Sequence, residues 1–293
     1  MNNIFKGLGV ALITPFCADG SVDFAALQSL IDYQIKGGVD FLCVLGTTAE
    51  TPCLTAQEKM AVKEAAVAAV RGRVPVLLGM GGNNTAALVE EIKNFDFKGV
   101  DGILSVVPYY NKPSQEGMYL HFKSVAEAAG DVPVVLYNVP GRTGVNMQVD
   151  TTLKLAREVD NIVAVKEASG NVEQIVSIAQ NAPEGFGVLS GDDSLTCELV
   201  EGGACGVISV VGNAVPQTFS AMVHCALEGD SAEAREIDSR LRELYRLAFA
   251  EGNPAGIKAL LEAKGLCRNV LRLPLVAASA PVADALKGFA GVD

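Results

Sequence analysis

The feature that most constrains this chain is a set of eight short runs rich in Val, Ile and Leu, at 10–14, 41–46, 74–79, 102–108, 134–138, 162–167, 188–191 and 206–210. They are unbroken rather than alternating. A strand with one wet face alternates apolar and polar residues, whereas a strand buried on both faces does not, so these runs predict a parallel sheet covered by helices. Between them lie stretches with helical spacing, such as Phe24, Leu27, Leu30, Ile31 and Ile35, closed by Gly37 and Gly38. Thr55 and Asn171 each stand three residues before a Glu or Gln (Glu58, Gln174), the spacing of a capping box. Strand starts recur roughly 20 to 30 residues apart, and eight strand-then-helix units fill the first 225 or so residues, which is the size of a (β/α)₈ TIM barrel. A doubly wound sheet is the rival architecture. It would carry a phosphate-binding fingerprint in its first turn, where this chain has Pro15-Phe16-Cys17-Ala18-Asp19-Gly20. The expected organisation is α/β: a barrel over 1–225 and a C-terminal three-helix appendage over 226–293, with helices at 231–251, 253–264 and 281–289 and no low-complexity linker.

Composition removes several classes of function. A net charge of -11, with no run of Lys or Arg, leaves no basic face for a phosphate backbone, so nucleic acid is not an expected partner. The chain is 49% hydrophobic, yet no stretch reaches the roughly 20 apolar residues that span a bilayer. Residues 7–16 imitate a signal peptide faintly; Pro15 and the Asp19-Gly20 turn make them a strand instead. Seven cysteines, odd in number and never spaced C-x-x-C, fit a reducing compartment, and a cytoplasmic location is expected. The two histidines, His121 and His224, fall in helical patterns away from any cysteine or carboxylate cluster and read as structural.

In a barrel the active site lies at the carboxyl ends of the strands, so polar residues that terminate apolar runs are the candidates. Five such ends stand out: Gly46-Thr47-Thr48-Ala49-Glu50, Pro108-Tyr109-Tyr110-Asn111, Tyr137-Asn138-Val139-Pro140-Gly141-Arg142-Thr143, Lys166-Glu167 and Ser190-Gly191-Asp192-Asp193. Lys166 follows Ile162-Val163-Ala164-Val165 directly, where loss of water disfavours an ammonium; only a neutral amine attacks a carbonyl. Taken singly, it reads more simply as a lysine that snorkels to the rim or pairs with Glu167 or Asp192. Tyr137 could donate and accept a proton, or be a rim aromatic that fills space. Thr47 and Thr48 could hold a carboxylate through hydroxyls and backbone N–H groups, or be ordinary turn residues. Arg142 could clamp a carboxylate with two N–H bonds, or be a solvated loop arginine. The loop from Gly79 to Asn84 lacks the spacing of a phosphate-binding loop and reads as a tight turn.

Together these segments resemble one family over nearly the whole chain, the dihydrodipicolinate synthases. The motifs that carry the resemblance are 46–50, 108–117, 137–144, 165–170, 189–193 and 206–210. The resemblance implies condensation of pyruvate with L-aspartate 4-semialdehyde, with no metal and no organic cofactor. It implies that Lys166 forms an imine with pyruvate, and that Tyr137 shuttles protons in a triad with Thr47 and with a Tyr110 from a neighbouring subunit. It further implies that Thr48 holds the pyruvate carboxylate, Arg142 the semialdehyde carboxylate, and backbone groups at Gly191 and Ile208 orient lysine and pyruvate. A homotetramer, a pair of tight dimers, is the expected assembly. Related pyruvate lyases that act on N-acetylneuraminate or keto-deoxy sugars share the lysine and tyrosine but generally lack the Val139-Pro140-Gly141-Arg142-Thr143 arrangement. A barrel that binds ligand without catalysis is the alternative of another class, and the intact Lys, Tyr and Thr set argues against it.

Two departures matter. Ala49 stands where the family more often has glycine, which adds one methyl to a loop. In members inhibited by lysine, a pocket at the tight-dimer interface uses two histidines and a glutamate; the matching positions here are Ala56, Lys59 and Ala87, while Asn83 and Tyr109 persist. A lost carboxylate and a gained cation predict weak or absent inhibition by lysine.

Overall fold

A computed structural model describes residues 3–293. Eight parallel strands close into a barrel in sequence order: β1 (Gly7–Ala11), β2 (Phe41–Val44), β3 (Val76–Gly79), β4 (Gly102–Val106), β5 (Val134–Asn138), β6 (Ile162–Glu167), β7 (Gly187–Ser190) and β8 (Gly206–Ser209). Closure comes from β1 pairing with both β2 and β8. The TIM barrel is therefore present, and β5 and β6 have the bounds read from the sequence.

The first strand does not. It was expected at 10–14 and lies at Gly7–Ala11. The shift follows from two glycines that a pattern of apolar residues discounts. A Cβ at Gly9 would lie 2.2 Å from the Phe41 ring, so only glycine lets β1 approach β2. Beyond Ala11 the chain leaves the ladder, and the Thr14 hydroxyl donates to Ala49 O at 2.8 Å. The second strand also stops early, at Val44, because Leu45 takes a left-handed φ of 57° that turns the chain into the loop beginning at Gly46. A Cβ at Gly79 would sit 2.0 Å from Leu45 O, which explains the glycine at the end of β3.

Inside the barrel Phe5, Phe41, Cys43, Leu77, Leu104, Val135, Val163, Ala164, Leu189 and Ile208 form one apolar cluster, with Phe5 and Phe41 edge to face at 5.3 Å. The outer faces of the strands pack on the helices. Thr55 makes a complete capping box with Glu58, whereas Asn171 caps its helix alone, since the Gln174 side chain is drawn to Glu167 and Asn146.

Helices Ser231–Phe249, Ala255–Ala263 and Ala280–Lys287 follow the barrel, and Pro216–Glu228 runs across position 225. Leu241, Leu244, Tyr245, Ile257, Leu260 and Leu261 lie in the same core cluster as Leu8, Val10 and Val44 of the barrel wall. No helix of the described residues is long and apolar enough to cross a membrane.

Candidate active site

The site begins with one irregularity. In the β5–β6 ladder Val134 pairs with Ile162 but Val135 pairs with Ala164, so Val163 is an extra residue in β6. Strand side chains alternate faces, and one inserted residue reverses the phase beyond it. Ile162 faces the outer core; Val163 and Ala164 both belong to the inner cluster; Val165 faces outward again. Lys166 consequently points into the barrel and Glu167 away from it. Were the same residues to alternate regularly, Lys166 would share the outward face of Ile162.

Across the ladder Lys166 stands level with Tyr137, and its Nζ lies 4.5 Å from the centre of the Tyr137 ring. Lys166 is 5% exposed and Tyr137 6%. Neither carboxylate that might have paired with the lysine does so. Glu167 accepts hydrogen bonds from Asn138 Nδ2 at 3.1 and 3.0 Å, Gln174 Nε2 at 2.9 Å and the Ser169 N–H at 2.8 Å. Burial holds its carboxyl above the usual range against these bonds. Asp192 accepts from the N–H and hydroxyl of Ser194. The Cys43 thiol is buried in the barrel and pushed up to about 11 by desolvation, although Lys166 opposes the shift, so it is not an activated nucleophile.

Gly191 donates its N–H to Glu167 O at 2.8 Å, and a Cβ there would lie 2.6 Å from Ala168 Cβ and 3.2 Å from Lys166 Cε. The glycine thus leaves the room that the lysine chain occupies. Thr47 and Thr48 sit on a short helical turn, Thr47–Ala49, separated from the left-handed Leu45 by Gly46 alone. Thr48 is 2% exposed, and its Oγ1 accepts from Asn253 Nδ2 at 2.9 Å. Arg142 projects from the short helix Pro140–Thr143 and is exposed.

Lys166, Tyr137, Thr47, Thr48, Arg142 and Gly191 meet on the wall of one cavity of about 190 Å³, together with Asp192, Val210, Phe249 and Asn253. Two candidates are not on this wall. Ile208 is 1% exposed in the inner barrel cluster with Tyr137, two residues before Val210, which lines the wall. Tyr110 is 89% exposed on left-handed backbone with φ 74°, outside the cavity.

A second cavity, of about 350 Å³, shares Thr47, Tyr137, Val139 and Arg142 with the first and is also lined by Lys59, Tyr109 and Glu91. Glu91, one helical turn after Ala87, brings a carboxylate to a wall from which the sequence had removed one. Among the described residues no group of histidines, cysteines and carboxylates could hold a metal. The geometry suits covalent chemistry on a carbonyl acid: a buried amine, a phenol against it, hydroxyls and an arginine for carboxylates.

The sequence profile of the dihydrodipicolinate synthetase family matches residues 4–289. The chain belongs to this family. A 4-hydroxy-tetrahydrodipicolinate synthase of Phocaeicola vulgatus is 59% identical over 271 residues, 92% of this chain and 91% of that protein. Among solved structures, the dihydrodipicolinate synthase of Aquifex aeolicus is 45% identical and superposes with a TM-score of 0.93 over 97% of this chain and 96% of that one. The chloride-inhibited enzyme of Acinetobacter baumannii, crystallised with pyruvate, is 36% identical with a TM-score of 0.95 over 99% of this chain and 100% of that one. Family membership gives the cavity a chemical context that its shape alone does not.

Residues beyond the sequence reading also shape this site. Asn253 and Phe249 come from the helical region read as an appendage. Asn138 and Gln174 anchor Glu167, and the one visible signal was a run of polar residues at strand ends.

Proposed function

We propose that this chain condenses pyruvate with L-aspartate 4-semialdehyde to give 4-hydroxy-tetrahydrodipicolinate, the first committed step toward diaminopimelate and lysine. The observation that carries this reading is the inward-facing, buried Lys166 level with Tyr137, on a cavity that also offers Thr47, Thr48 and Arg142. Lys166 Nζ adds to the keto carbon of pyruvate and water leaves, forming a protonated imine. That nitrogen takes up the electron pair released when a methyl proton departs, and the resulting enamine attacks the aldehyde carbon. The semialdehyde's amine then adds to the imine carbon and expels Lys166, closing the ring.

In this scheme Tyr137 carries the protons and works with Thr47. Thr48 holds the carboxylate of pyruvate and Arg142 that of the semialdehyde, while backbone at Gly191 and Ile208 orients lysine and pyruvate. Tyr110 completes the proton path of a neighbouring subunit, a role its 89% exposure and left-handed backbone support, and the proposed assembly is a homotetramer of tight dimers. The proposed location is the cytoplasm. The barrel over 1–225 holds these strand-end groups, and the helices over 226–293 close the cavity from one side through Phe249 and Asn253.

Incubation with pyruvate and borohydride, followed by digestion, gives a pyruvate-dependent mass adduct on the Lys166 peptide. Its absence refutes the imine. Coupled turnover with aspartate semialdehyde separates this activity from cleavage of N-acetylneuraminate or keto-deoxy sugars, for which Arg142 has no short amino-acid carboxylate to bind.

A further inference from the structure

The helical region supplies one polar side chain to the cavity, and it touches a residue of the substrate site. Asn253 lies in the turn between helices Ser231–Phe249 and Ala255–Ala263, is 9% exposed, and lines the cavity beside Lys166 and Thr48. Its Nδ2 donates to Thr48 Oγ1 at 2.9 Å, and its Oδ1 has no protein partner. A threonine hydroxyl has one hydrogen and two lone pairs. When Asn253 fills a lone pair, the hydroxyl hydrogen remains available to an acceptor in the cavity. The bond thus sets Thr48 as a donor, the polarity that a carboxylate requires.

The framework around this contact is rigid. Five residues after Asn253, in the next helix, Lys258 forms an ion pair with Glu50, at 2.5 Å with both side chains fully buried; Glu50 follows the Thr47–Ala49 turn on left-handed backbone. Glu50 also accepts from the Arg272 N–H at 2.9 Å, and Lys258 donates to Val270 O at 2.9 Å. The turn that carries Thr48 is therefore clamped to the C-terminal region on one side and addressed by Asn253 on the other.

From this geometry we infer that Asn253 is a positioning residue for the carbonyl-acid substrate: it polarises Thr48 so that the hydroxyl donates to the carboxylate of pyruvate. The inference rests on the proposed function and deepens it. A charge-assisted hydrogen bond that loses its orientation weakens binding about tenfold.

The test measures the pyruvate dependence of borohydride trapping and steady-state rates for Asn253→Ala, Asn253→Asp, Thr48→Val and Asn253→Ala with Thr48→Val. Expected are a pyruvate KM about tenfold higher in Asn253→Ala, an unchanged semialdehyde KM, and kcat within about threefold. Asn253→Asp is the more damaging change, because a carboxylate accepts the Thr48 hydrogen instead of leaving it free and adds a like charge; a space-filling role would rank aspartate as the milder one. The double variant is no worse than Thr48→Val, since both act through one bond. Asn253→Ser, which keeps a donor, replaces the alanine variant if that protein does not fold, with a pyruvate KM between wild type and Asn253→Asp. An unchanged pyruvate KM, equal losses in kcat and kcat/KM, or additive effects overturn the inference. Failure of the wild-type protein to trap pyruvate on Lys166 sinks the proposed function instead, so the two failures are distinguishable.

Discussion

Lys166 is inward, buried and without a carboxylate partner, and its use depends on the residues around it. Lys166→Ala is expected to abolish the pyruvate adduct and to cut kcat by at least about 10³-fold, with the fold retained by circular dichroism. Tyr137→Phe keeps the ring against Lys166 and removes only the hydroxyl; kcat should fall about 10²- to 10³-fold while the adduct still forms, which separates proton transfer from imine formation. Both residues were legible because strand ends are where a barrel exposes polar groups. Asn253 was not, because it is 205 residues from the threonine it bonds and follows a segment with no strand pattern. In the larger cavity Lys59 opposes a cationic ligand and Glu91 favours one. Millimolar L-lysine should change wild-type initial rates little, and Lys59→Ala should respond more strongly; strong inhibition of the wild type would show that Glu91 outweighs Lys59.

At the scale of elements, the pattern of unbroken apolar runs gave eight strands but blurred their edges. β1 lies three residues nearer the N-terminus than its apolar run because Gly7 and Gly9, which add nothing to an apolar pattern, are what permits contact with Asp40 and Phe41. β7 ends at Ser190, and the glycine after it is constrained from the other direction. Gly191→Ala places a methyl 2.6 Å from Ala168 Cβ and 3.2 Å from Lys166 Cε. Expected is a loss of about 1–3 kcal/mol in stability with slower pyruvate trapping, measured by denaturant unfolding and by adduct mass against time. The insertion at Val163 was invisible in sequence, since a run of Ile, Val, Ala and Val looks the same with or without one residue too many.

Over the whole molecule, the region after residue 225 shares its core with the barrel and reaches the substrate turn through several polar ties. Arg272, in the irregular stretch before the last helix, donates to Glu58 at 2.5 Å and to Gly20 O and Cys53 O, and lies 4.6 Å from the centre of the Phe16 ring. The guanidinium holds the Glu58 carboxyl down to about 2, from an ordinary value of 4.5. A depressed carboxyl stabilises the fold above its unfolded value and loses that contribution as pH falls through its folded one. Stability should therefore decline between about pH 4.5 and about pH 2, by about 1 kcal/mol for this partly exposed pair, and Glu58→Gln should flatten that part of the unfolding profile. The deeper tie is costlier to break: Lys258→Met, which strands Glu50 without its cation, should destabilise by about 3–5 kcal/mol.

The extra residue in β6 makes the chemistry of the barrel a matter of parity. From the pairing of Val135 with Ala164 onward, every residue of β6 takes the opposite face from the one it would have in a regular ladder. If the same residues paired with β5 without the bulge, a carboxylate and not an amine would face the cavity, although the strand would contain the same amino acids. The reactive group is thus selected by register, which one bulged residue sets.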